Sequence, residues 1–327
     1  MSGIVDFAYV LPSGRARAQD LSRSSGLPVD QIQRICVTPE WPVLAPGEQP
    51  WDLAIRAART MLDRSGVAPA TIGKVIYAGS GEWEPAFWSP AAKAADALGI
   101  REAHCMEVVN FCNSAAPALQ LACDETTLGR SEYVLVLLGD RLSQLVDHED
   151  PESKALFNFA DAAAAVLVGR ERSEFEILHA QLRTDASWAD YYSADREDFV
   201  TRVRRRGRRS GLRAAYLKNL AELVDLTLDA LGQSRKDVAH LLINQTDRSM
   251  HEELLSDLGI APERSVFNYH RYAHQGPADT FIALADLKDE GRLHAGDLIL
   301  LCTSGVGFSW GVTAAEYRPG PTATPRT

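Results

Sequence analysis

The chain repeats its own architecture, and this internal duplication constrains its fold more than any other feature. A Leu-Gly-Ile triplet occurs at 98–100 and again at 258–260, each time at the end of a helical pattern. Each glycine suits the left-handed turn that ends a helix. After each triplet the pattern predicts a strand, a break, a helix of small and apolar residues, a polar turn and a very hydrophobic strand. The sequence therefore predicts two architecturally related halves.

An amphipathic helix followed by a buried strand also precedes each triplet. Strands that are hydrophobic on both faces and alternate with helices indicate layered α/β halves with mainly parallel pairing. We expect the two halves to cover residues 1–172 and 173–318, followed by a flexible tail at 319–327.

The composition narrows the class of protein. A net charge of −10 argues against nucleic-acid binding. No apolar run predicts a membrane span, and no leader pattern predicts a signal peptide. The five scattered cysteines form neither a CxxC pair nor a zinc spacing. We therefore expect a cytoplasmic protein with no metal site.

Cys112 and His274 are the candidate catalytic pair. When the triplets are superposed, the two residues fall at nearly the same place in their halves, each at a predicted strand-to-helix junction. Asn113 and Ser114 are good helix starters, which places the sulfur near a helix N-terminus where amides and the dipole favour thiolate. The thiolate would attack a thioester, hold the acyl group and release it to a second nucleophile, with His274 as the base.

Further polar groups follow the second-half strand and the last turn. The stretch "LLINQTDRS" brings Asn244 and Asp247 to a strand end, where α/β sheets place functional groups. Asn244 would hydrogen-bond a thioester carbonyl, and Asp247 would orient His274. The stretch "CTSGVGFSWG" carries Gly305 and Gly307 in a turn whose amides suit an oxyanion hole.

A run of seven arginines, "TRVRRRGRRSGLR" at 201–213, interrupts the acidic composition. It is either a solvated face or a landing site for phosphates or an acidic carrier protein. The candidate contacts are Arg204, Arg205, Arg206, Arg208, Arg209 and, beyond the second-half strand, Arg248.

With these residues assembled, the chain resembles the thiolase superfamily, above all β-ketoacyl-acyl-carrier-protein synthase III. The stretch "VVNFCNSAAPALQLA" is similar to the nucleophile segment, but Phe-Cys-Asn-Ser replaces the usual Ala-Cys-Ala-Gly, so that Asn113 becomes a pocket candidate. The stretch "FWSPAAKAADALGI" places Trp88 where an aromatic residue typically reaches across the dimer into the partner's pocket. The resemblance implies a thiolase-like five-layered α-β-α-β-α fold of two duplicated halves, a homodimer, and acyl-CoA or acyl-carrier-protein thioesters as substrates without a bound cofactor.

The departures from the family pattern carry the functional information. "NQTD" puts Asn244 where the condensing enzymes have histidine, and "AHQGPAD" puts His274 where they have asparagine. The second motif also resembles the Gly-His-x-Gly-x-x-Asp pattern of a divergent branch from antibiotic pathways. That branch transfers acyl groups to a hydroxyl or amine of a small acceptor. The resemblance implies that His274 is the general base, with Asp247 or Asp279 as its carboxylate partner.

Two other departures concern the substrates. The tryptophan associated with coenzyme A is missing from "DQIQRICVTPEW", so an acyl carrier protein is a credible donor. Glu82, in "GSGEWEPAF", could match a carboxylate that hydroxymethylglutaryl-coenzyme A synthase relatives use as acid and base; a solvated loop glutamate is the alternative.

The sequence therefore predicts an acyltransferase of specialised metabolism that works through acyl-Cys112. One alternative is a decarboxylative condensing enzyme, in which Asn244 and His274 hold a malonyl-type extender. Another is a catalytically weak partner subunit of a ketosynthase pair.

Overall fold

The computed structural model of the protein describes residues 2–197 and 200–319. Its strands are β1 Gly3–Val10, β2 Gly14–Arg17, β3 Glu40–Val43, β4 Ile72–Gly79, β5 His104–Val109, β6 Tyr133–Gly139, β7 Ala163–Gly169, β8 Phe175–Thr184, β9 Tyr192–Glu197, β10 Val200–Arg205, β11 Val238–Ile243, β12 Leu298–Gly305 and β13 Ser309–Tyr317. Its helices are α1 Ala18–Ser25, α2 Val29–Cys36, α3 Pro50–Ser65, α4 Pro90–Ala97, α5 Ala115–Thr127, α6 Leu212–Leu231, α7 Arg248–Leu258, α8 Tyr269–Tyr272 and α9 Asp279–Asp289. Apart from Pro319, the predicted tail lies outside the described residues.

Nine strands form one mixed sheet in the order β11-β12-β13-β8-β1-β7-β6-β4-β5. Within this sheet, β1, β7, β6, β4 and β5 form one run, and β11, β12, β13 and β8 form the other. The two runs meet through two residue pairs between β1 and β8. The expectation of mainly parallel pairing is wrong. Only β4 with β5, β4 with β6, and β11 with β12 run parallel among the described strands. The remaining neighbours run antiparallel. For example, β12 and β13 are joined by a short turn, and only antiparallel strands can be joined in that way.

Three apolar clusters divide the molecule into layers. The first packs α3 and α4 on the outer face of the first run of strands, and the third packs α6 and α7 on the outer face of the second run. Between the two runs, α5 and α9 contribute buried residues such as Leu119 and Phe281. Burying one such side chain contributes about 1.5–3 kcal/mol. The predicted five-layered α-β-α-β-α arrangement is confirmed.

Both triplet glycines end helices as predicted. Gly99 follows α4 and Gly259 follows α7, with φ of 73° and 66°. Left-handed backbone of this kind favours glycine because it has no Cβ. The two landmarks that revealed the duplication are therefore equivalent helix ends.

The predicted strand before His274 is absent, because a side chain takes the place of a neighbouring strand. Residues 265–268 have no regular structure and lead directly into α8. The Gln245 side chain accepts a hydrogen bond from the backbone N–H of Asn268 at 2.8 Å and donates one to the carbonyl of Val266 at 3.2 Å.

No helix within 2–197 and 200–319 is long and apolar enough to cross a membrane. The same residues contain no cluster of three or more histidine, cysteine or acidic side chains suited to a metal ion.

Candidate active site

Cys112 lies in a tight turn between β5 and α5. The turn, Phe111–Asn113, is a single 3₁₀ turn, and Phe111 enters it with φ of 52°, an uncommon backbone conformation for a residue with a side chain. The sulfur therefore lies just before the N-terminus of α5, where free amides and the helix dipole favour negative charge. Cys112 is buried but lines cavities on two sides.

His274 is held by backbone contacts with the first half of the chain. Its N–H donates to the carbonyl of Asn158, and its carbonyl accepts from the N–H of Ala160, both at 2.9 Å. The Phe159 ring packs edge-on against the imidazole, with ring centroids 5.4 Å apart. These contacts fix the direction in which the imidazole points.

Cys112, His274 and Asp279 form one line of hydrogen-bonded groups. Nε2 of His274 is 3.2 Å from Sγ of Cys112, and Nδ1 is 2.5 Å from Oδ2 of Asp279. The carboxylate also accepts the backbone N–H groups of Gln245 and Gln275, each at 2.8 Å. This is the arrangement of nucleophile, base and orienting carboxylate that covalent catalysis requires.

The charges of the line support one another. Burial lowers the pKa of His274, but the neighbouring Cys112 and Asp279 charges outweigh it and raise the pKa from 6.5 to about 10. The imidazole is therefore protonated at neutral pH, and its positive charge lies 3.2 Å from the Cys112 sulfur. By contrast, burial raises the pKa of the Cys36, Cys123 and Cys302 thiols to about 12, so those groups stay neutral.

Two cavities meet at Cys112. The entry cavity, about 360 Å³, has Cys112 and His274 in its wall and reaches the surface at Arg213 and Asp247. The inner cavity, about 280 Å³, extends from Cys112 beneath the β9–β10 hairpin. Its apolar lining includes Phe111, Leu142, Leu145, Leu156, Phe159 and Val203. The thiol thus separates a passage open to solvent from an apolar chamber.

Comparison with known proteins agrees with this arrangement. Residues 106–186 match the family 3-oxoacyl-[acyl-carrier-protein] synthase III, and residues 228–317 match its C-terminal part. The chain belongs to this synthase III family. It is 30% identical over 325 residues to 3-oxopimeloyl-[acyl-carrier-protein] synthase of Rhodothermus marinus, covering 94% of this chain and 91% of the relative.

Two further relatives agree. The chain is 29% identical over 288 residues to β-ketoacyl-[acyl-carrier-protein] synthase III of Gloeobacter violaceus, covering 84% of this chain and 86% of that one. The crystal structure of the Aquifex aeolicus synthase III matches with a TM-score of 0.87 at 24% identity, over 97% of this chain and 100% of the other. The thiolase-like fold is therefore confirmed. Synthase III enzymes use carrier-protein or CoA thioesters as substrates and need no cofactor.

Asn244, predicted to bind a thioester carbonyl, has its amide committed to the backbone instead. Its Nδ2 donates to the carbonyl of Gly276 at 2.9 Å and approaches that of Cys112 at 3.4 Å. Its Oδ1 accepts the N–H of Ser304 at 2.7 Å. Asn244 therefore ties three segments of the synthase III site together and does not face the substrate space.

Asp247 does not orient His274. It caps the N-terminus of α7 through the N–H of Met250 at 2.9 Å, and it lines the mouth of the entry cavity. The carboxylate on the imidazole is that of Asp279, which lies five residues after His274 and begins α9. A helix start satisfies Asp247 locally, so its side chain turns away from the thiol.

Asn113 and the glycine turn form the joint between the halves. Asn113 accepts from Thr303 Oγ1 at 2.6 Å and donates to Asn110 Oδ1 at 2.7 Å, so it braces the nucleophile turn and does not line the pocket. A Cβ on Gly305 would approach the carbonyl of Asn110 to 2.7 Å, which explains the glycine. Gly307, with φ of 131°, completes the turn. An oxyanion role for these amides stays a prediction.

Ser114 also departs from its predicted role. It precedes α5, but its side chain makes no capping hydrogen bond. Its buried Oγ has no hydrogen-bond partner in the described part of the chain. The start of α5 is therefore held by the turn itself and by Asn113.

Trp88 packs within its own chain, with its ring 5.5 Å from that of Trp51. Its neighbour Phe87 is the aromatic residue that projects fully into solvent.

Glu82 lines the inner cavity and accepts a hydrogen bond from Thr201 Oγ1 at 3.0 Å. Among the described residues it has no hydrogen bond to Cys112 or His274, so its predicted acid–base role finds no support in the geometry.

Some arginines of the run form ion pairs within the chain, and others do not. Arg204 binds Asp147 at 2.7 Å and Asp150 at 2.9 Å, which fastens β10 to the segment 147–150. Arg206 pairs with Asp195, and Arg248 with Glu252 at 2.9 Å. In contrast, three exposed arginines have no carboxylate within 4.0 Å among residues 2–197 and 200–319. These are Arg205, Arg208 and Arg209.

The sequence missed the aromatic wall of the entry cavity. Tyr191, Tyr192, Tyr216 and Phe308 line it, and the Tyr216 hydroxyl is hydrogen-bonded to Ser304 Oγ. These residues come from β9, α6, the turn before β13 and the loop before β9, and only Tyr216 shows a pattern, that of an ordinary amphipathic helix. No local signal could have identified them.

Proposed function

We propose that this synthase III family member is an acyltransferase of specialised metabolism, which passes an acyl group from Cys112 to a hydroxyl or amine acceptor. The observation that carries the proposal is the contrast between His274 and Asn244. His274 faces the thiol and is backed by Asp279, whereas the Asn244 amide is bound to backbone on both sides. A single base beside an acyl-thiol suits acyl transfer to an acceptor that must lose a proton.

In the first half-reaction, the Cys112 thiolate attacks the carbonyl carbon of an acyl thioester. The tetrahedral intermediate collapses with cleavage of the bond to the donor sulfur. The donor thiolate takes the proton of the His274 imidazolium and leaves as a thiol. Acyl-Cys112 and a neutral imidazole remain.

In the second half-reaction, His274 Nε2 takes the proton of the acceptor O–H or N–H as that atom attacks the acyl carbonyl. The bond to Sγ breaks, and the enzyme returns to its thiolate–imidazolium pair. Acylation also prepares this step, because it removes the thiolate charge that raises the pKa of His274. The same imidazole is thereby an acid before acylation and a base after it.

Decarboxylative condensation is the second candidate, because the relatives named above are β-ketoacyl and 3-oxopimeloyl synthases. In that reaction Asn244 and His274 would both hold the extender carbonyl. The hydrogen bonds of Asn244 oppose this use, since they would have to break first. A catalytically weak partner subunit is disfavoured by the 3.2 Å contact between thiol and imidazole.

The carrier-protein donor, the homodimer and the cytoplasmic location belong to the same proposal. The exposed arginines at 205, 208 and 209 offer positive charge to an acidic carrier. A second copy fits beside β5, whose outer edge has no strand partner within the described chain. The strand ends at the exposed Val109, and the exposed Phe111 follows two residues later. A dimer would cover these side chains.

The test is intact-mass analysis after incubation with acyl-CoA and acyl-carrier-protein donors. We expect one acyl adduct, absent from Cys112→Ala and retained by the control Cys105→Ala, which removes a partly exposed thiol outside the site. Addition of hydroxyl and amine acceptors should discharge the adduct without release of carbon dioxide. Carbon dioxide release from a malonyl thioester by the acylated enzyme would favour condensation. If no donor gives an adduct, the result would favour the hypothesis that the protein is a catalytically weak partner subunit of a ketosynthase pair.

A further inference from the structure

The inner cavity has a polar part to its lining. Beside the hydrocarbon side chains, four polar residues, Ser80, Glu82, Ser193 and Thr201, line the same cavity. They come from the segment after β4 and from β9 and β10, so separate parts of the chain bring them together. An acyl chain on Cys112 that fills this cavity would lie beside these polar residues.

Two of the three hydroxyl groups among these residues use their protons on carboxylates. The Ser80 hydroxyl donates to Asp140 Oδ1 at 2.6 Å, and the Thr201 hydroxyl donates to Glu82 Oε2 at 3.0 Å. Ser193 Oγ accepts from Arg206 Nε at 3.3 Å. Oε1 of Glu82 has no hydrogen-bond partner among the described residues, so it is available as an acceptor.

Glu82 also lacks a counter-charge. Among the described residues no lysine, arginine or histidine nitrogen lies within 4.0 Å of its carboxylate, and the nearest acid in sequence, Glu84, takes the Arg141 guanidinium at 2.7 Å. Glu82 is half-buried and lies between the inner cavity and a second cavity, with one side-chain hydrogen bond to its carboxylate. A ligand N–H or O–H would satisfy it, a hydrocarbon end would desolvate it further, and a second carboxylate would be repelled.

We propose that Glu82 makes the inner cavity selective for acyl groups whose chain carries an amino or hydroxyl group away from the thioester. The proposal rests on the acylation of Cys112 proposed above and names the substrate class of that step. Glu82 acts on selectivity through the acyl chain and takes no part in bond making at the thiol.

The test compares a hexanoyl thioester of N-acetylcysteamine with its ω-hydroxy, ω-amino and ω-carboxy counterparts. The rate of Cys112 acylation is followed by intact mass in the wild type, in Glu82→Gln and in the control Glu84→Gln, which alters the neighbouring carboxylate. In the wild type the amino or hydroxyl chain should react at least about tenfold faster than hexanoyl. Glu82→Gln should reduce the amino advantage by about tenfold and should speed the ω-carboxy chain, whereas Glu84→Gln should leave the ratios unchanged.

The two polar chains identify which donor the cavity takes. Faster reaction of the amino chain alone indicates a cationic end, and faster reaction of both indicates a neutral donor contact; either result supports the proposal. Hexanoyl or the ω-carboxy chain as the fastest wild-type substrate would overturn it, as would equal ratios in the wild type and Glu82→Gln.

A second readout separates this proposal from the proposed function. Hexylamine, hexanol and hexanoate are compared for protection of Cys112 against iodoacetamide, which requires no acyl transfer. If no thioester acylates Cys112, the acyltransferase proposal fails, and this assay still reports on the cavity. Stronger protection by hexylamine or hexanol than by hexanoate, lost in Glu82→Gln, supports the selectivity; equal protection by all three contradicts it.

Discussion

The two halves treat the segment before their junction differently. In the first half, β5 is the outermost strand and pairs only with β4 within the described chain. In the second half, residues 265–268 form no strand, because the Gln245 side chain occupies their backbone groups. A free strand edge is a template for pairing with another chain, and an occupied one is not. The same architecture therefore leaves a strand edge open beside Cys112 in the first half. In the second half, the corresponding backbone beside His274 is occupied by the Gln245 side chain.

Each junction is also held by the opposite half. The Cys112 turn is braced by Asn113 against Thr303, which comes from the last long hairpin. His274 is paired through its backbone with Asn158 and Ala160 from the first half. The distance between thiol and imidazole is thus set by contacts between the halves and not by either half alone.

The largest effect should come from removing the imidazole of the second half or the carboxylate that orients it. We expect His274→Ala to slow transfer from acyl-Cys112 by about a hundredfold to ten-thousandfold, because the acceptor then loses its base. Asp279→Asn should slow it comparably by misorienting the ring. Single-turnover discharge of the preformed adduct measures both, with the exposed His270→Ala as control. Discharge at the wild-type rate in His274→Ala would remove His274 from the mechanism.

The charge of the pair gives the next effect. Because the pKa of His274 is raised to about 10, the imidazole beside the Cys112 sulfur stays protonated across neutral pH. We expect Cys112 to react with iodoacetamide at pH 7 at least about tenfold faster in the wild type than in His274→Ala, because that variant lacks the neighbouring positive charge.

The raised pKa of His274 also predicts how the stability of the folded protein changes with pH. The folded protein keeps a proton that the unfolded chain releases above pH 6.5, so the stabilisation is full below that pH and is lost as pH rises to about 10. Asp279→Asn removes one of the two charges that raise the pKa of His274, so it should also slow the alkylation of Cys112 at pH 7. An unchanged alkylation rate in that variant would contradict the role of the carboxylate.

Asn244 occupies the position where the condensing enzymes have histidine. We expect Asn244→Ala to lower the free energy of unfolding more than it slows the acylation of Cys112. Removing the amide leaves the buried N–H of Ser304 and the carbonyl of Gly276 unpaired, which costs about 1–3 kcal/mol of unfolding free energy for each group. Urea unfolding measures this loss, and the acylation rate of the folded fraction should fall far less than the discharge rate of His274→Ala. A loss of discharge equal to that of His274→Ala would favour the condensing reading.

The open edge of the first half can be tested directly. Val109→Lys places a charge on the last residue of β5, where burying it unpaired in a dimer costs several kcal/mol, so we expect the dimer to weaken at least about tenfold. Light scattering across a concentration series gives the mass. Leu226→Lys, at an exposed apolar position on α6, is the matched control. Unchanged mass in Val109→Lys would place any dimer interface elsewhere.

The smallest effect concerns the surface arginines. Arg208→Glu should raise KM for an acyl-carrier-protein donor about threefold to tenfold at low salt and leave KM for the acyl-CoA unchanged. Arg34→Glu, on the exposed face of α2, controls for net charge. Equal changes for both donors would argue against carrier docking at this site.

Much of this arrangement was predictable from the sequence, because the duplication aligned Cys112 with His274 and the helix-ending glycines marked equivalent places. The use of Asn244 was not predictable. A strand end fixes where a side chain starts, but its hydrogen bonds here go to Gly276 and Ser304, which are distant in the chain. The choice between Asp247 and Asp279 was likewise set by which carboxylate a helix start had already satisfied. The aromatic wall of the entry cavity left no periodic pattern in the sequence, because its members come from three separate segments.

The brace formed by Asn113 has a consequence for the order of events during synthesis. Its partners Thr303 and Ser309 belong to β12 and β13, and they lie 190 and 196 residues further along the chain. A nascent chain in which these strands have not yet been made lacks both of these hydrogen bonds to the nucleophile turn. The turn that carries the thiol therefore gains this support only after β12 and β13 have been synthesised.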